Sequence, residues 1–298
     1  MDVAEIALFN NALAGMNLAG NRFFYVNPLE SDGAMPFNQG ESGRAEWFDT
    51  ACCPTNLARI IPQVPGLLYA YDRNSIYVTL YGSSRTTVPL RAGSVTLIQR
   101  SDYPYSETIE FWVNPERSQR FDLKLRIPTW AQGQQFLPGN LYRYIDGDVP
   151  VWTVQINGQA AKPRLEAGFA IISRKWRKGD RITLRLPMPV KFNTARTEVE
   201  ADRGSMALTR GPLVLCAEGV DNDGPVQEVA LLDTLPAADQ IETSAFVDGL
   251  LAGILKVSLP ANRNGAPHQL VMVPYFAWNN RGNGTMRVWL PRTESNRS

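Results

Sequence analysis

The sequence predicts a mainly β protein, in which two antiparallel β-sandwich domains follow a short helical segment. Near the N-terminus apolar residues recur at steps of three and four, as on one face of a helix. From about Tyr69 onward the period changes to two, as in half-buried strands, and turn residues separate the short runs. These changes predict three segments: helical residues 1–68, a first sandwich at 69–192 and a second at 193–298.

Length and composition limit the classes of function. The chain has 298 residues, enough for two or three domains, and a net charge of +1. This charge gives no electrostatic reason to expect nucleic acid or a membrane surface as a partner. The three cysteines do not make a disulfide framework and favour a reducing, cytoplasmic location. The N-terminus does not have the pattern of a signal peptide, and no apolar run has the length of a membrane span.

Residues 2–19 are predicted to form one helix, with Ile6, Phe9, Leu13 and Met16 in a single apolar stripe. Such a stripe must be covered. We therefore expect either an exposed apolar patch near Phe9 and Leu13 or a dimer contact there.

Residues 21–50 are predicted to be mostly loop, with a flexible surface segment at 31–43 that is rich in Gly, Ser, Asn and Pro. A helix-like run follows from Cys52. Pro62 and Pro65 interrupt it, so this helix should end near Ile61.

The β pattern is clearest where apolar and polar residues alternate strictly, as over 121–127 and 182–186. Asn157-Gly158 between two such runs predicts a tight hairpin. Residues 245–254 fit either a short helix or a strand.

Three further features of the second β segment are candidates for either a structural or a functional role. Cys216 lies in an apolar strand and is expected to be a core thiol. His268, the single histidine, is expected at the surface or in a hydrogen bond. Tyr275, Phe276 and Trp278 fit a core position better than a sugar-stacking one.

The adjacent cysteines Cys52 and Cys53 are the strongest chemical signal. A helix N-terminus favours negative charge, which makes a thiolate easier to form there. Two neighbouring thiolates repel unless a cation holds them, and zinc is the usual cation for sulfur ligands. Both are therefore candidate metal ligands, and one of them is a candidate nucleophile. The alternative is a pair of ordinary buried cysteines.

Several motifs together resemble glycoside hydrolase family 127, the β-L-arabinofuranosidases. The similarity covers nearly the whole chain but only the C-terminal part of the family, whose members are about twice as long. The matching segments are Arg22–Glu30, Trp47–Arg59, Leu186–Val190, Arg210–Val214 and Val273–Gly282.

This resemblance implies a fold, a metal and a reaction. Family members have a large α/α toroid followed by two β-sandwich domains, so residues 1–68 would be a remnant of the catalytic toroid. A zinc ion is bound there by three cysteines and a glutamate. By motif position Cys52 would be the nucleophile that forms a thioglycosyl intermediate, and both Cys52 and Cys53 would contact zinc.

The resemblance also implies two substrate-binding residues. Glu5 matches a family glutamate that reaches the sugar, although a solvated first-turn glutamate is equally compatible with the sequence. Tyr25 matches a tyrosine that lines the arabinose pocket, and a core tyrosine is the alternative.

Other parts of the family site have no counterpart in this sequence. The Glu-x-Cys motif with the remaining zinc ligands, the acid/base glutamate and the sugar-binding histidines all lie upstream in the family. The expected zinc site therefore has two ligands of four, fewer than the three that protein zinc sites need. We expect a fragment, an alternative start, or a chain completed by a partner or a homodimer.

Two classes of function remain open. The first is a zinc-dependent glycosidase acting on arabinofuranoside-containing glycans, incomplete or inactive as this chain alone. The second is a non-catalytic β-sandwich protein that binds carbohydrate or a partner subunit.

Overall fold

The computed structural model describes residues 1–133, 135–145 and 151–293. Parts of both predicted sandwich segments, at 134, 146–150 and 294–298, lie outside the described residues. The chain divides into two compact units: Met1–Asp2 with Ile61–Gln135 and Asp148–Met188, and Val3–Ile60 with Phe136–Gly147 and Pro189–Ser298. The described part is mainly β, as predicted.

The prediction of one helix over residues 2–19 is borne out only in part, because the helical segment ends at Gly15 and is not α-helical throughout. An α-helix (α1, Asp2–Ala7) changes to a π-helical turn at Leu8–Ala12 and a 3₁₀ turn at Leu13–Gly15. Asn10 lies in the π-helical turn, and its side-chain amide donates to Ile6 O and Pro212 O. Side-chain bonds of this kind compete with the helical ladder.

Phe9 and Leu13 are both half-exposed, and the dimer contact expected as the alternative to an exposed patch stays a prediction.

A short strand (β1, Glu30–Asp32) and a second α-helix (α2, Cys52–Ile60) follow in the same unit. A 3₁₀ segment at Ile61–Leu67, with Pro65 inside it, continues from α2. The prediction that this helix ends near Ile61 is confirmed. Pro54 and Leu57 are its buried residues.

Two sheets make up the other unit. The first half of its strands is β2 (Tyr69–Tyr71), β3 (Ser75–Val78), β4 (Ser84–Leu90), β5 (Gly93–Arg100), β6 (Thr108–Pro115) and β7 (Gln119–Arg126). After a 3₁₀ turn at Thr129–Gln132 the chain forms β8 (Tyr142–Tyr144), which belongs to the Val3–Ile60 unit. The second half is β9 (Thr153–Ile156), β10 (Gln159–Ala161), β11 (Arg164–Glu166), β12 (Phe169–Trp176) and β13 (Asp180–Arg185).

The strand orders are β10-β9-β13-β6-β5-β4 in one sheet and β11-β12-β7-β3-β2 in the other. The predicted alternation is confirmed: Phe111, Leu123 and Leu184 are fully buried between exposed or half-exposed neighbours. The hairpin at Asn157-Gly158 is confirmed as well, because both residues have positive φ (51° and 79°) and join β9 to β10.

The prediction of purely antiparallel sheets is wrong at one place, since β3 and β7 pair in parallel. These strands are not joined by a hairpin. The chain between them runs through β4, β5 and β6 of the other sheet, and such a crossover permits the parallel direction.

The Val3–Ile60 unit contains an eleven-stranded sheet of order β17-β19-β20-β16-β15-β14-β8, with β1, β18, β21 and β22 attached to it. Its remaining strands are β14 (Val190–Ala195), β15 (Ser205–Arg210), β16 (Leu213–Glu218), β17 (Val229–Leu231), β18 (Glu242–Ala245), β19 (Leu255–Arg263), β20 (Ala266–Pro274), β21 (Thr285–Arg287) and β22 (Leu290–Pro291). Short 3₁₀ turns lie at Glu200–Asp202, Gly219–Asp221, Val226–Glu228, Ala238–Gln240 and Tyr275–Ala277.

Several sequence interpretations are confirmed in this sheet. Cys216 is a fully buried core thiol on β16. Tyr275, Phe276 and Trp278 are core residues, and His268 Nε2 lies 3.4 Å from Asn222 Oδ1.

The open segment 245–254 is mostly turns after β18. Within the described ranges, none of the helices has both the length and the apolar character that crossing a membrane requires.

Candidate functional site

The N-terminus of α2 presents both cysteines to the same neighbourhood. Cys52 Sγ lies 3.8 Å from Cys53 Sγ and 3.5 Å from the hydroxyl of Tyr25. Cys53 Sγ lies 3.7 Å from the Tyr25 carbonyl oxygen, to which its thiol can donate. Cys52 is exposed and Cys53 half-buried, so the sulfurs face each other at the surface rather than the core.

The surroundings of the two sulfurs shift their acidities in opposite directions. The hydrogen bond from the Tyr25 hydroxyl lowers the pKa of Cys52, and contacts with Cys53 and backbone N–H groups lower it further. Burial raises the pKa of Cys53, and the neighbouring Cys52 adds to this. The same bond to Cys52 raises the pKa of Tyr25, which keeps its proton available for donation. Cys52 is therefore the better thiolate, as a nucleophile requires.

Asn38 holds Tyr25 in position. Its Oδ1 accepts a 2.6 Å hydrogen bond from Tyr25 N, and its Nδ2 donates to Phe23 O and Gly43 O. Asn38 is completely buried, so the loop predicted to be a flexible surface segment is fixed at this point. No pattern in the sequence indicates this role.

Arg44 anchors the end of the same loop. Its guanidinium lies 4.2 Å from the ring centre of Phe24 and donates to Trp278 O at 2.5 Å and Ala14 O at 3.0 Å. Burial lowers the pKa of Arg44 to about 10, so the group still carries its charge at neutral pH. No sequence pattern indicates the role of Arg44 either, since its partners are far away along the chain.

A cavity of about 620 Å³ opens beside Tyr25 and is lined by both charged and aromatic groups. Its lining comprises Arg22, Tyr25, Gln39, Glu41, Arg44, Ala45, Glu46, Trp47, Phe48, Asp49 and Thr50. Two of these residues, Arg22 and Glu46, form an ion pair at 2.6 Å, and Tyr25 packs edge-on against Phe48. A polar cavity with aromatic walls can hold a sugar-sized ligand.

Glu5 is fully buried on α1, which excludes the interpretation as a solvated first-turn glutamate. Whether it reaches a sugar stays a prediction.

The cysteine pair fits part of a zinc site. Two sulfurs bound to one tetrahedral zinc at about 2.3 Å lie about 3.8 Å apart, which is the separation between Cys52 Sγ and Cys53 Sγ. In the described ranges no group of three or more His, Cys, Asp or Glu side chains is arranged to hold a metal ion. The described chain thus offers two donors of a suitable kind.

Three models of one enzyme family match consecutive parts of the chain. The glycoside hydrolase family 127 β-L-arabinofuranosidase catalytic domain matches residues 1–66, the family's middle domain 75–188 and its C-terminal domain 190–291. Together these matches cover almost the whole sequence.

Similar proteins are known from curated and structural work. A non-reducing end β-L-arabinofuranosidase of Bifidobacterium longum subsp. longum is 35% identical over 98% of this chain and 45% of its own length. A solved GH127 β-arabinofuranosidase is 36% identical with a TM-score of 0.89, and one from Geobacillus stearothermophilus T6 is 33% identical with a TM-score of 0.82. The chain spans about half the length of these relatives, 45% and 46% of the two solved chains.

Proposed function

Because this chain belongs to glycoside hydrolase family 127, we propose that it is the nucleophile-bearing part of a retaining β-L-arabinofuranosidase. The observation that carries the proposal is the exposed Cys52 thiol beside Tyr25, next to a polar cavity. The named relatives are arabinofuranosidases, and an arabinofuranoside-containing glycan is the substrate we infer from them.

The proposed reaction has two steps with balanced bonds. Cys52 Sγ attacks the anomeric carbon, a C–S bond forms, and the C–O bond to the leaving group breaks as that oxygen receives a proton from a carboxylic acid. Water then displaces the sulfur with the same carboxylate as base, which restores the configuration of the sugar. The resemblance assigns this carboxylic acid to family positions upstream of the matched region.

The residues of this chain have distinct roles in the proposal. In the thiolate form Cys52 would accept the hydrogen bond from the Tyr25 hydroxyl, and this interaction lowers the pKa of Cys52. Asn38 is a positioning residue, because it fixes the backbone of Tyr25. Glu5 and Tyr25 would also contact the sugar, as the resemblance implies.

Zinc is part of the proposal, with Cys52 and Cys53 as two of its ligands. When bound, zinc would stabilise the thiolate form of the cysteines. The other donors would come from outside the described residues, either from further chain or from a partner or second copy. We further propose that residues 1–68 are a remnant of an α/α toroid, that two β-sandwiches follow, and that the protein acts in the cytoplasm.

The test measures arabinose release from p-nitrophenyl β-L-arabinofuranoside by the protein and two cysteine variants. Replacing a covalent nucleophile removes most of the rate, so Cys52→Ser should lower turnover by at least about 10³-fold. Cys216→Ala, which changes the buried core thiol, is the matched control and should keep turnover. Undiminished turnover of the Cys52→Ser protein would show that another group attacks the sugar.

A second readout does not depend on turnover. A bromoacetyl derivative of β-L-arabinofuranosylamine should alkylate Cys52 ahead of Cys53 and Cys216, as read by peptide mass spectrometry. If an unrelated bromoacetyl compound labels Cys52 to the same extent as the sugar derivative, this would contradict sugar-directed binding beside Cys52.

The second candidate function is a non-catalytic protein that binds carbohydrate or a partner subunit. It is favoured by one observation, that the described residues bring no third metal-binding side chain to the cysteine pair. Carbohydrate binding by the protein without sugar-directed labelling of Cys52 would support this candidate.

A further inference from the structure

Trp47 differs from the other tryptophans in its exposure to water. It is 59% exposed, whereas every other tryptophan in the described ranges is half-buried or buried. Its ring packs edge-on against Phe23, with ring centres 6.1 Å apart and planes inclined by 81°, and this contact restricts its orientation. A large apolar ring that stays in water gains free energy when a ligand covers it.

Trp47 lines the cavity of about 620 Å³ beside Tyr25. The neighbouring Phe48 is buried and packs edge-on against Tyr25, with ring centres 5.4 Å apart. Tyr25 also lines the cavity, and its hydroxyl lies 3.5 Å from Cys52 Sγ. Cys52 itself is not part of the described lining. The cavity is therefore adjacent to the candidate nucleophile and does not contain it.

The size and charge of this cavity limit what it can hold. Its volume is about four times the roughly 150 Å³ that encloses a benzene-sized molecule, so there is room for more than one ring. Its charged lining consists of three carboxylates and two guanidinium groups, those of Glu41, Glu46, Asp49, Arg22 and Arg44. The exposed carboxylates of Glu41 and Asp49 form no ion pair with the described residues. They would repel an anionic ligand, and a purely apolar ligand would leave them without partners.

A neutral sugar fits this combination of an aromatic face and accessible oxygens. The C–H groups on one face of a sugar ring pack on an aromatic ring, and the hydroxyl groups around its edge can donate to carboxylates. Trp47 offers the aromatic face. The carboxylates of Glu41, Glu46 and Asp49 are all exposed, so they are acceptors that a hydroxyl in the cavity can reach.

We propose that this cavity binds the sugar on the leaving-group side of the arabinofuranose that Cys52 attacks, and that this second ring stacks on Trp47. The inference rests on the proposed function, which places the attacked sugar at Cys52. The bond that Cys52 breaks joins that sugar to the rest of the glycan, so the next ring is covalently held beside Cys52, where the cavity lies. Trp47 thereby makes the protein prefer a disaccharide or longer glycan over a single arabinofuranoside.

The test measures binding and needs no turnover. Isothermal titration calorimetry on the whole chain carrying Cys52→Ser, in which the ligands should stay intact, compares a β-L-arabinofuranosyl disaccharide with methyl β-L-arabinofuranoside, which lacks the second ring. The stacked ring should make the disaccharide bind about five- to tenfold more tightly. Disaccharide binding should also shift the tryptophan fluorescence to shorter wavelength, because the ring of Trp47 leaves water.

Variants of Trp47 make the test specific. Trp47→Ala should abolish both the preference for the disaccharide and the fluorescence shift, and Trp47→Tyr, which keeps a ring, should retain part of the preference. Because position 47 is exposed, these changes should leave the fold intact. Trp152→Ala, at a half-exposed tryptophan outside the described lining, is the matched control and should keep both properties.

Three results would overturn the inference: no binding of the disaccharide, equal affinities for the two sugars, or an undiminished preference in Trp47→Ala. Tighter binding of tetramethylammonium than of the disaccharide would also overturn it, and would make the cavity a site for a cation. Turnover that persists in Cys52→Ser would overturn the proposed function instead, whereas the disaccharide preference would still decide the role of Trp47.

Discussion

The Asn38 side chain connects its loop to the backbone at Tyr25 through three hydrogen bonds, with Tyr25 N, Phe23 O and Gly43 O. Asn38→Ala removes the partner of Tyr25 N and leaves the carbonyls of Phe23 and Gly43 without their donor inside a buried site. We expect the free energy of unfolding to fall by about 2 to 3 kcal/mol. Urea unfolding followed by tryptophan fluorescence measures this.

The matched control for this change is Asn140→Ala, at an exposed position, which should stay within about 0.5 kcal/mol of the native protein. If Asn38→Ala lowers the free energy of unfolding no more than Asn140→Ala does, the loop relaxes around the missing side chain without loss of stability. Asn38 would then not hold Tyr25.

The acidity of Cys52 gives a pH prediction. Its lowered pKa means that the thiolate is present below the usual value of about 8.5 and is lost only as the pH falls through the lower value. Iodoacetamide alkylation of Cys52 in EDTA should therefore have its midpoint at a lower pH than that of an unperturbed cysteine. Cys53, whose pKa burial raises, should react with a higher midpoint. Peptide mass spectrometry distinguishes the two.

Tyr25→Phe tests the cause of this acidity. Removing the hydroxyl removes the main hydrogen bond to the thiolate, so the Cys52 midpoint should move to higher pH. Tyr71→Phe, at an exposed tyrosine, should leave it unchanged. An unchanged midpoint in Tyr25→Phe would attribute the low pKa to the helix N-terminus instead.

At the residue scale, the sequence indicates residues with distinctive side-chain chemistry. It does not indicate residues whose role depends on contacts with distant parts of the chain. Adjacent cysteines are conspicuous in any sequence, and the family resemblance indicated Tyr25. Asn38 and Arg44 are ordinary polar residues whose importance comes from distant partners. The guanidinium of Arg44 bonds to Trp278 O, 234 residues away, and no local pattern predicts such a contact.

At the element scale, one side chain, that of Asn10, explains why the N-terminal α-helix ends earlier than predicted. Asn10 donates to Ile6 O, four residues back, and to Pro212 O, while Val214 N donates to its Oδ1. The apolar stripe predicted continued helix, but it carries no information on a polar residue that bridges to a strand edge. Periodicity thus predicted the start of α1, and tertiary hydrogen bonds set its end.

The turn that follows Trp278 is joined to β16 by an ion pair between Arg281 and Glu218, 2.8 Å apart. Burial raises the pKa of Glu218, while the bonds from Asn279 N and Arg281 oppose this only in part. A raised pKa means that the Glu218 contribution to stability is full below the unfolded pKa of about 4.3 and is lost as the pH rises through the folded value.

The prediction concerns the difference in unfolding free energy between the native protein and Glu218→Gln. This difference should fall as the pH rises from about 4 towards 7, because Gln does not titrate. Urea unfolding at several pH values measures it, with Glu242→Gln at an exposed position as the control. A difference that instead increases with pH would mean that pairing with Arg281 outweighs the cost of burial.

At the scale of the whole molecule, strand periodicity predicted the β segments well and their partners poorly. Alternation identifies the buried face of β7, yet it cannot say that β3 lies beside β7 in parallel, since the pairing joins residues about 47 positions apart. The same holds for the N-terminal segment, in which Val3–Ile60 forms one compact unit with residues that follow Pro189. Sequence shows which elements exist, and long-range packing decides how they assemble.

Metal binding is the property of the whole chain that the cysteine pair predicts most directly. Two thiolates at the spacing of zinc ligands should bind zinc, but with fewer than the three protein ligands of a tight site. We expect a dissociation constant on the order of 10 μM, so that 100 μM zinc stabilises the fold by only about 1.4 kcal/mol. Thermal unfolding with zinc and with EDTA, together with competition against a chromophoric chelator, measures both quantities.

Two variants connect this binding to the proposed site. Cys52→Ser combined with Cys53→Ser should abolish both the affinity and the stabilisation, whereas Cys216→Ala should preserve them because its sulfur is buried in the sheet. Zinc held through dialysis with nanomolar affinity would contradict the expectation, since it requires at least one further strong ligand. That result would mean that a second copy or another part of the protein closes the site around the pair.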